Sequence, residues 1–366
     1  MFITVCVIAY NEEKTIKSIL EDIRAQDYEH GKIEVMLVNS ASTDSTRRIM
    51  EEFRDANASR KNDSTFGFKS VAVLDNPKKT LPCGWNVALG AYTGEAVLKV
   101  DAHSSIPKDF VSKNVNVLEL GEDVCGGQRP NIIDDDTPWK ETLLLAESSM
   151  FGSSIAPYRN NPGRTYVKSM FHAAYRRNVF DTIGNFNEKL ARTEDNEIHY
   201  RMRKAGFKLC FDPEIISYQH IRSSLPKMLK QKYSNGYWIA LTSGVCPKCL
   251  SIYHFVPFAF VVAIILSSIC CAVLGIVKAA GAGFGMLYGI AGGIIYTLTG
   301  LMWGVYWLMA VIMAVIAVIG AKNKRNITCI ALPFLFFMLH ISYGAGTLIG
   351  MIKMPSWVKG IRNERN

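Results

Sequence analysis

Phe255–Val277 runs 23 residues without an acid or a base, and Phe284–Gly320 runs 37. About 20 such residues let a helix cross the ~30 Å hydrocarbon core of a bilayer. As one helix the longer run would reach about 55 Å. That is too long for one untilted pass, so it reads as two short spans or as one span with an interfacial helix. Ile327–Ile352 is a further candidate. Residues 254–366 are therefore expected to hold three or four membrane helices. Lys322, Lys324 and Arg325, between two of the runs, belong on the cytoplasmic side, and so do Lys353, Lys359, Arg362 and Arg365 beyond the last. A single crossing between those two basic clusters cannot satisfy both.

Residues 1–220 mix charged and apolar positions as a soluble α/β domain does. Met1 leads straight into strand-like residues with no basic leader, so no secretory signal is read and the domain is expected in the cytoplasm. The net charge of +9 comes with no nucleic-acid motif. Its basic residues flank the apolar runs, where anionic lipid head groups are the expected partners. Between domain and spans, 221–253 reads as an interfacial segment. Its helix over 223–240 carries Leu225, Met228 and Leu229 on one side and Lys227, Lys230 and Lys232 on the other. Only Cys246-Pro-Lys-Cys249, among nine cysteines, has ligand spacing, and no second pair completes a zinc site.

The domain itself alternates strand and helix. Apolar runs at 3–10, 33–38, 70–74 and 97–100 are each followed by a helical pattern, with Asn11 and Ser42-Thr43-Asp44 as cap-type residues ahead of the first two helices. Four such units predict a parallel sheet with helices on both faces, and ligands then sit beyond the carboxyl ends of the strands. Tyr10, Asn11, Asn39, Asp44, Asn76 and Asp101 all lie at those ends. Neither G-x-G-x-x-G nor G-x-x-x-x-G-K-[ST] occurs, which argues against a dinucleotide fold or a P-loop ATPase. Further on, Val124–Arg129 and Met170–Tyr175 read as strands and Trp139–Phe151 as a helix. Residues 157–165 read as a mobile loop over a site. Thr193 caps a helix opening with Glu194 and Asp195, and short strands end at His220. Asp101-Ala102-His103, at the end of the fourth strand, sets a carboxylate and an imidazole where both can grip one divalent cation. The same tripeptide is also at home in an ordinary strand-end turn.

Five motifs in order decide between those readings: V-I-A-Y-N-E-E at 7–13, V-N-S-A-S-T-D-S-T at 38–46, W-N-V-A-L-G-A-Y-T-G at 85–94, D-A-H at 101–103 and T-E-D-N-E at 193–197. Together they resemble the family 2 glycosyltransferases over residues 1–240. Within that family the chain is similar to the membrane-anchored succinoglycan-biosynthesis glucosyltransferase group, through R-R-N-V-F-D-T-I-G-N-F-N-E at 176–188, E-D-N-E-I-H-Y-R-M-R-K-A-G at 194–206 and L-H-I-S-Y-G-A-G at 339–346. The resemblance implies a GT-A fold, Rossmann-like and nucleotide-sugar-binding, and inverting transfer with a divalent cation, Mn or Mg. It implies Asp195 as the base and Glu194 as its acceptor-orienting neighbour. Asp101 and His103 would be metal ligands, with His220 a third. The nucleotide sugar would meet Ala9, Tyr10, Asn11, Glu12, Asn39, Asp44, Asn76, Asn86 and Asp101. His103 stands where the family usually has a second carboxylate, and Asn39 where it commonly has Asp. Gln231-Lys232-Tyr233-Ser234-Asn235 lacks the Arg and Trp of the processive members' Q-x-x-R-W, which points to one sugar per encounter.

The expected function is transfer of a hexose, glucose above others, from a UDP-sugar to a polyprenyl-diphosphate-linked saccharide. The place is exopolysaccharide or capsule synthesis at a bacterial inner membrane, with the catalytic domain cytoplasmic. Two alternatives stand beside it: a polyprenyl-phosphate sugar synthase, and a non-catalytic membrane scaffold that keeps the fold.

Overall fold

Strands whose every residue is buried must be covered on both faces, and β1 (Ile3–Ala9) and β2 (Ile33–Asn39) are such strands. In the computed structural model, which describes residues 1–59, 67–152, 163–281, 286–321 and 326–363, the chain divides into two units. The first comprises Met1–Ile132 and Ala156–His220. After β1 come α1 (Ile16–Arg24), β2, α2 (Thr46–Ser59), β3 (Ser70–Asp75), α3 (Leu81–Leu89) and β4 (Ala96–Asp101). Then follow β5 (Ser104–Ser105), α4 (Phe110–Glu119), β6 (Val124–Gln128) and β7 (Asn131–Ile132). The chain next contributes α5 (Pro138–Ser148) to the second unit. It returns as β8 (Thr165–Val167), β9 (Ala173–Arg176), α6 (Arg177–Ile183), α7 (Glu194–Lys204), β10 (Leu209–Ile216) and β11 (Tyr218–His220).

The main sheet has the order β3-β2-β1-β4-β9-β6-β10-β8. Its first four strands are parallel, as the four strand–helix units require. β9 runs antiparallel to both β4 and β6. No crossover helix directly precedes it, so nothing forces it into the parallel sense. Alternate residues of β1 divide between two cores. Ile3, Val5 and Val7 pack with Ile16, Ile19 and Ile23 of α1 and Phe110, Val115 and Leu118 of α4. Cys6 and Ile8 pack with Trp85 of α3, Phe180 of α6 and Ile198 and Met202 of α7. At the Gly126-Gly127 kink of β6, a Cβ on Gly127 would lie 2.0 Å from the carbonyl oxygen of Ile215, so only glycine lets β10 approach. A small sheet, β5-β11-β7, sits at the strand ends.

The second unit, Ile133–Ile155 and Ile221–Asn366, is helical. α5 joins α8 (Leu225–Ser243), α9 (Val256–Ala279), α10 (Met286–Gly320) and α11 (Leu332–Asn363). Among the described residues, three of its helices are long and apolar enough to cross a membrane, within Ile252–Ala279, Gly289–Gly320 and Ile327–Ile361. The long uncharged run is one continuous helix, α10, from Met286 onward. α8 departs from the expected pattern of one basic side. Lys227 and Lys230 are exposed, but Lys232 is buried, its Nζ 2.6 Å from Oε1 of Glu147 on α5. A buried ammonium requires such a partner. Residues 157–162, Lys322, Lys324, Arg325 and Arg365 lie outside the described residues.

Candidate active site

Alternation along β4 selects the site. Ala96, Leu98 and Val100 belong to the α1/α4 core and Val97 to the opposite one, so Lys99 and Asp101 share the face covered by α3 and α7. Lys99 is 2 % exposed, and its counter-charges come from the start of α7. Nζ lies 2.5 Å from Oδ1 of Asp195 and 3.9 Å from Oε1 of Glu194. Thr193, before them, has left-handed backbone (φ 67), rare for a β-branched residue and a kind of strain that gathers at functional sites. The expected side-chain cap is absent, because the Thr193 hydroxyl donates to the carbonyl of Arg192 instead. Below this turn His199 is fully buried between Ser169 Oγ (3.1 Å) and Tyr175 Oη (2.9 Å). Burial drives its pKa down to about 3, so the ring is a neutral brace for α7.

Asp101 meets two further groups. Nη2 of Arg129, just past β6, lies 2.8 Å from Oδ2. Nε2 of His172 lies 3.2 Å from the Asp101 amide nitrogen and 3.3 Å from Oδ2. Burial alone would raise the pKa of Asp101, but His172, Arg129 and Lys99 outweigh it and hold the carboxyl well below its usual range. Burial lowers the pKa of His172 against the pull of Asp101. The guanidinium, stacked 3.9 Å over Phe171, is therefore the permanent charge that keeps Asp101 ionised. Burial raises Asp195, with Lys99 holding the rise back. Burial and then the charge of Asp195 push Glu194 up to about 8, so Glu194 is mostly protonated at neutral pH.

The expected metal ligands do not form a closed set. Among the described residues no three His, Cys, Asp or Glu side chains converge as a metal-holding group. His220 bonds Ser105 Oγ at 2.8 Å across the small sheet, and His103 Nδ1 lies 3.0 Å from Oε1 of Glu12. That second contact is a histidine's usual preparation for a cation. With Glu12 on Nδ1, Nε2 is the ring nitrogen left to face a cation. Both side-chain contacts to Asp101 fall on Oδ2, so Asp101 Oδ1 and His103 Nε2 are the atoms of these two residues left for a cation, the carboxylate suiting a hard ion such as Mn or Mg.

Several expected nucleotide contacts are hydrogen-bonded within the protein. Asn86 spends its amide on Phe186 N and O and on Glu188, clamping the loop ahead of α7. Asn76 is 1 % exposed, and its Nδ2 donates to Ser40 Oγ and Thr80 O. Asp44 accepts from the amides of Glu13 and Thr46. Ala9 is buried, its carbonyl taking the Ser40 amide. Asn11 is not a helix cap. It is left-handed (φ 55), α1 begins only at Ile16, and its Oδ1 accepts the Thr43 amide at 2.8 Å. Asn39 is buried with Oδ1 on the Ser42 amide, and its Nδ2 reaches Oδ1 of Asp75 at 3.3 Å. Asp75 keeps a half-exposed carboxylate, and Tyr10 presents an exposed ring. Asn11 is likewise exposed at the strand ends, and Glu12 and Asp44 are part-buried there.

Lys99, Arg129, His172 and Asp75 were not among the sequence candidates. For Lys99 a signal existed: a lone charge inside Val97-Leu98-Lys99-Val100, a buried strand, demands an acid opposite. Arg129 and His172 lie in stretches that carry no motif.

The family model for "Glycosyl transferase family group 2" matches residues 96–346, and that for "Glycosyl transferase family 2" matches residues 4–184. The chain belongs to the family 2 glycosyltransferases. Among curated relatives of this glycosyltransferase is a dolichyl N-acetyl-α-D-glucosaminyl phosphate 3-β-D-2,3-diacetamido-2,3-dideoxy-β-D-glucuronosyltransferase of Methanococcus voltae. It is 24% identical over 64% of this chain and 72% of its own length. The succinoglycan biosynthesis protein ExoA of Rhizobium meliloti is 24% identical over 62% of this chain and 65% of its own. Among solved structures, the mannosyltransferase PcManGT of Pyrobaculum calidifontis, in complex with GDP-Man and Mn2+, aligns with a TM-score of 0.50 at 16% identity. The alignment covers 96% of this chain and 86% of that one. The fold is thus GT-A-like with apolar helices following, and the protein is a membrane-bound hexosyltransferase.

Proposed function

We propose that this glycosyltransferase moves one hexose, glucose in our reading, from a UDP-sugar to a polyprenyl-diphosphate-linked saccharide with inversion, using a divalent cation. The observation that carries the reading is the Lys99–Asp195 pair at 2.5 Å on the face of β4 that ends in Asp101. Lys99 holds Oδ1 of Asp195, leaving Oδ2 to receive a proton. A carboxylate whose pKa burial has raised is a stronger base than a solvated one. As the acceptor hydroxyl oxygen bonds to the anomeric carbon, its proton passes to Asp195 while the carbon–oxygen bond to the diphosphate breaks. Protonated Glu194 offers a hydrogen bond to the acceptor. Asp101 and His103 would hold the cation, which when bound offsets charge on the leaving diphosphate. Tyr10 and Asp75 are the groups we assign to the base and ribose end. The preference for a lipid-linked saccharide over a bare lipid phosphate follows the Methanococcus relative, whose name specifies a dolichyl-phosphate sugar. Undecaprenyl-phosphate 4-deoxy-4-formamido-L-arabinose transferases of Pseudomonas, 26% identical over 50% of this chain in one case, support the second reading. We place the protein in a bacterial inner membrane, acting in exopolysaccharide or capsule synthesis from the cytoplasmic face.

The test is a panel of labelled nucleotide sugars on membranes holding the full chain, with and without Mn or Mg. Asp195→Asn should lower transfer by about 10²–10⁴-fold, the usual worth of a general base, with nucleotide binding retained. Wild-type transfer by folded Asp195→Asn and Asp101→Ala variants would end the proposal. A labelled lipid monophosphate rather than a lengthened diphosphate saccharide would favour the synthase.

A further inference from the structure

Chain connectivity and helix contacts inside the second unit assign a membrane topology that length and composition do not. β7 ends at Ile132 and β8 begins at Thr165, both strands of the sheet unit. α5 lies between them with 11 residues, about 16 Å of helix, too short to cross a bilayer. It therefore stays on the sheet's side of the membrane. The turn that leads into α11 is bonded to it. Thr142 Oγ1 lies 2.6 Å from Thr328 Oγ1, and Asn326 Nδ2 donates to Glu141 Oε2 at 3.0 Å.

The other end of α11 is held on the same side. α8 precedes the first apolar span and is not one itself, and α11 runs parallel along it. Ser342 Oγ donates to Leu229 O at 2.7 Å, Trp357 meets Trp238 at 6.1 Å, and Ser243 Oγ lies 3.6 Å from Met354 Sδ. Between these points glycines press backbone on backbone. A Cβ on Gly346 would lie 2.0 Å from Tyr233 O, and one on Gly236 would lie 2.0 Å from Tyr343 O.

We infer that α11 does not cross the bilayer. With α5 and α8 it forms a platform in the interfacial layer, and α9 with α10 makes a single transmembrane hairpin, the last part of the unbroken α10 running on past the hydrocarbon to pack against α11. The hairpin's own contacts are antiparallel: Phe260 stacks on Tyr306 at 4.4 Å, and Cys271 Sγ lies 3.7 Å from Thr299 Oγ1. Residues 286–303 of α10 would span about 27 Å, close to the ~30 Å core. At that level Trp303 and Trp307 lie on α10, as aromatic side chains do at a membrane–water boundary, while Tyr306 is buried against Phe260 and His340. The buried Lys232–Glu147 pair then lies in the platform rather than at the centre of the hydrocarbon, where ionised groups are costly. Basic residues flank α11 on both sides in the sequence, and the bias of such residues to one face of a membrane favours two crossings over three.

The test uses the full chain in sealed vesicles of known orientation, with epitope tags at both termini and an impermeant protease. We expect both tags to be cut from the same face and neither from the other. Ala280→Cys, in the hairpin turn, and Asn363→Cys, at the end of α11, give a second reading with an impermeant maleimide. Each should lose labelling from the face that exposes the other. Terminal tags on opposite faces, or Ala280→Cys and Asn363→Cys labelled from one face, overturn the inference. The result does not depend on the donor or acceptor of the enzyme.

Discussion

Replacing Lys99 by Met tests whether the charge pair beneath the site is what the geometry says it is. The variant keeps most of the side-chain volume and removes the ammonium from a position 2 % exposed, 2.5 Å from Asp195 Oδ1. At an effective dielectric of about 20 the gross attraction at that separation is roughly 7 kcal/mol, most of it offset by the desolvation both groups have suffered. Stranding one partner of a buried pair typically costs about 3–5 kcal/mol, a large share of the roughly 5–15 kcal/mol that holds a domain together. Two features bring the expectation to the lower end. Asp195 is 16 % exposed on its side chain, and it can take up a proton once its counter-charge has gone. We therefore expect Lys99→Met to lose about 3 kcal/mol. Asp195→Asn should lose a similar amount, and the double variant much less than the sum. The assay is denaturant unfolding of the full chain in micelles, read through Trp85, whose ring lies 5.6 Å from Nζ. Single losses below about 1 kcal/mol, or additive ones, would refute the coupling, since exposed pairs give no more than that.

Two further outcomes follow from other contacts. Glu194, pushed up to about 8 from an ordinary value of 4.5, is protonated when folded and ionised when unfolded between those values. Unfolding releases that proton, so its share of stability falls as pH rises from about 4.5 to 8. In Glu194→Gln that decline should vanish, with Tm flatter across the window than in the wild type; parallel curves would show that Glu194 titrates normally. At the α8–α11 contact, Gly346→Ala places a methyl where only 2.0 Å separates the ideal Cβ from Tyr233 O. Forced separation of the helices should cost about 1–3 kcal/mol, measured as a lower Tm in micelles, whereas an unchanged Tm would mean that the helices are not in backbone contact.

The sequence made the sheet legible because period-two burial and cap-rich turns are local signals. The first four strands fell within a residue or two of 3–10, 33–38, 70–74 and 97–100. β9 was legible as a strand but not in direction, since pairing sense depends on where the chain has been before it. In the site, Asp101 and Asp195 share one charged cluster around Lys99, whose charge lowers both carboxyls while that of Asp101 raises Asp195. The nucleotide contacts were less readable. Asn76, Asn86 and Asp44 are polar residues at strand or helix ends, and such residues serve the backbone there as readily as a ligand. Their hydrogen bonds show the first use, which no sequence pattern announced. Arg129 and His172 were invisible because each acts through a contact across 28 and 71 positions of chain, with no local pattern to announce it.

The charge balance around Asp101 carries one more consequence. Asp101, Asp195 and Glu12 supply three carboxylates against the permanent cations Lys99 and Arg129, and Glu194 is mostly protonated. The site is therefore negative by about one charge, on the formal values of these groups at neutral pH. A diphosphate entering alone would bring further negative charge into a partly buried, already negative site, where repulsion is weakly screened. A divalent cation entering first would reverse the sign and draw the diphosphate in. Calorimetry on the full chain should then show weak UDP binding without Mn2+ and a marked gain with it, and Arg129→Met should deepen that dependence by removing a fixed positive charge. UDP binding that is equally tight with and without Mn2+ would mean that Arg129 and Lys99 already suffice for the diphosphate, and that Asp101 and His103 hold no cation in binding it.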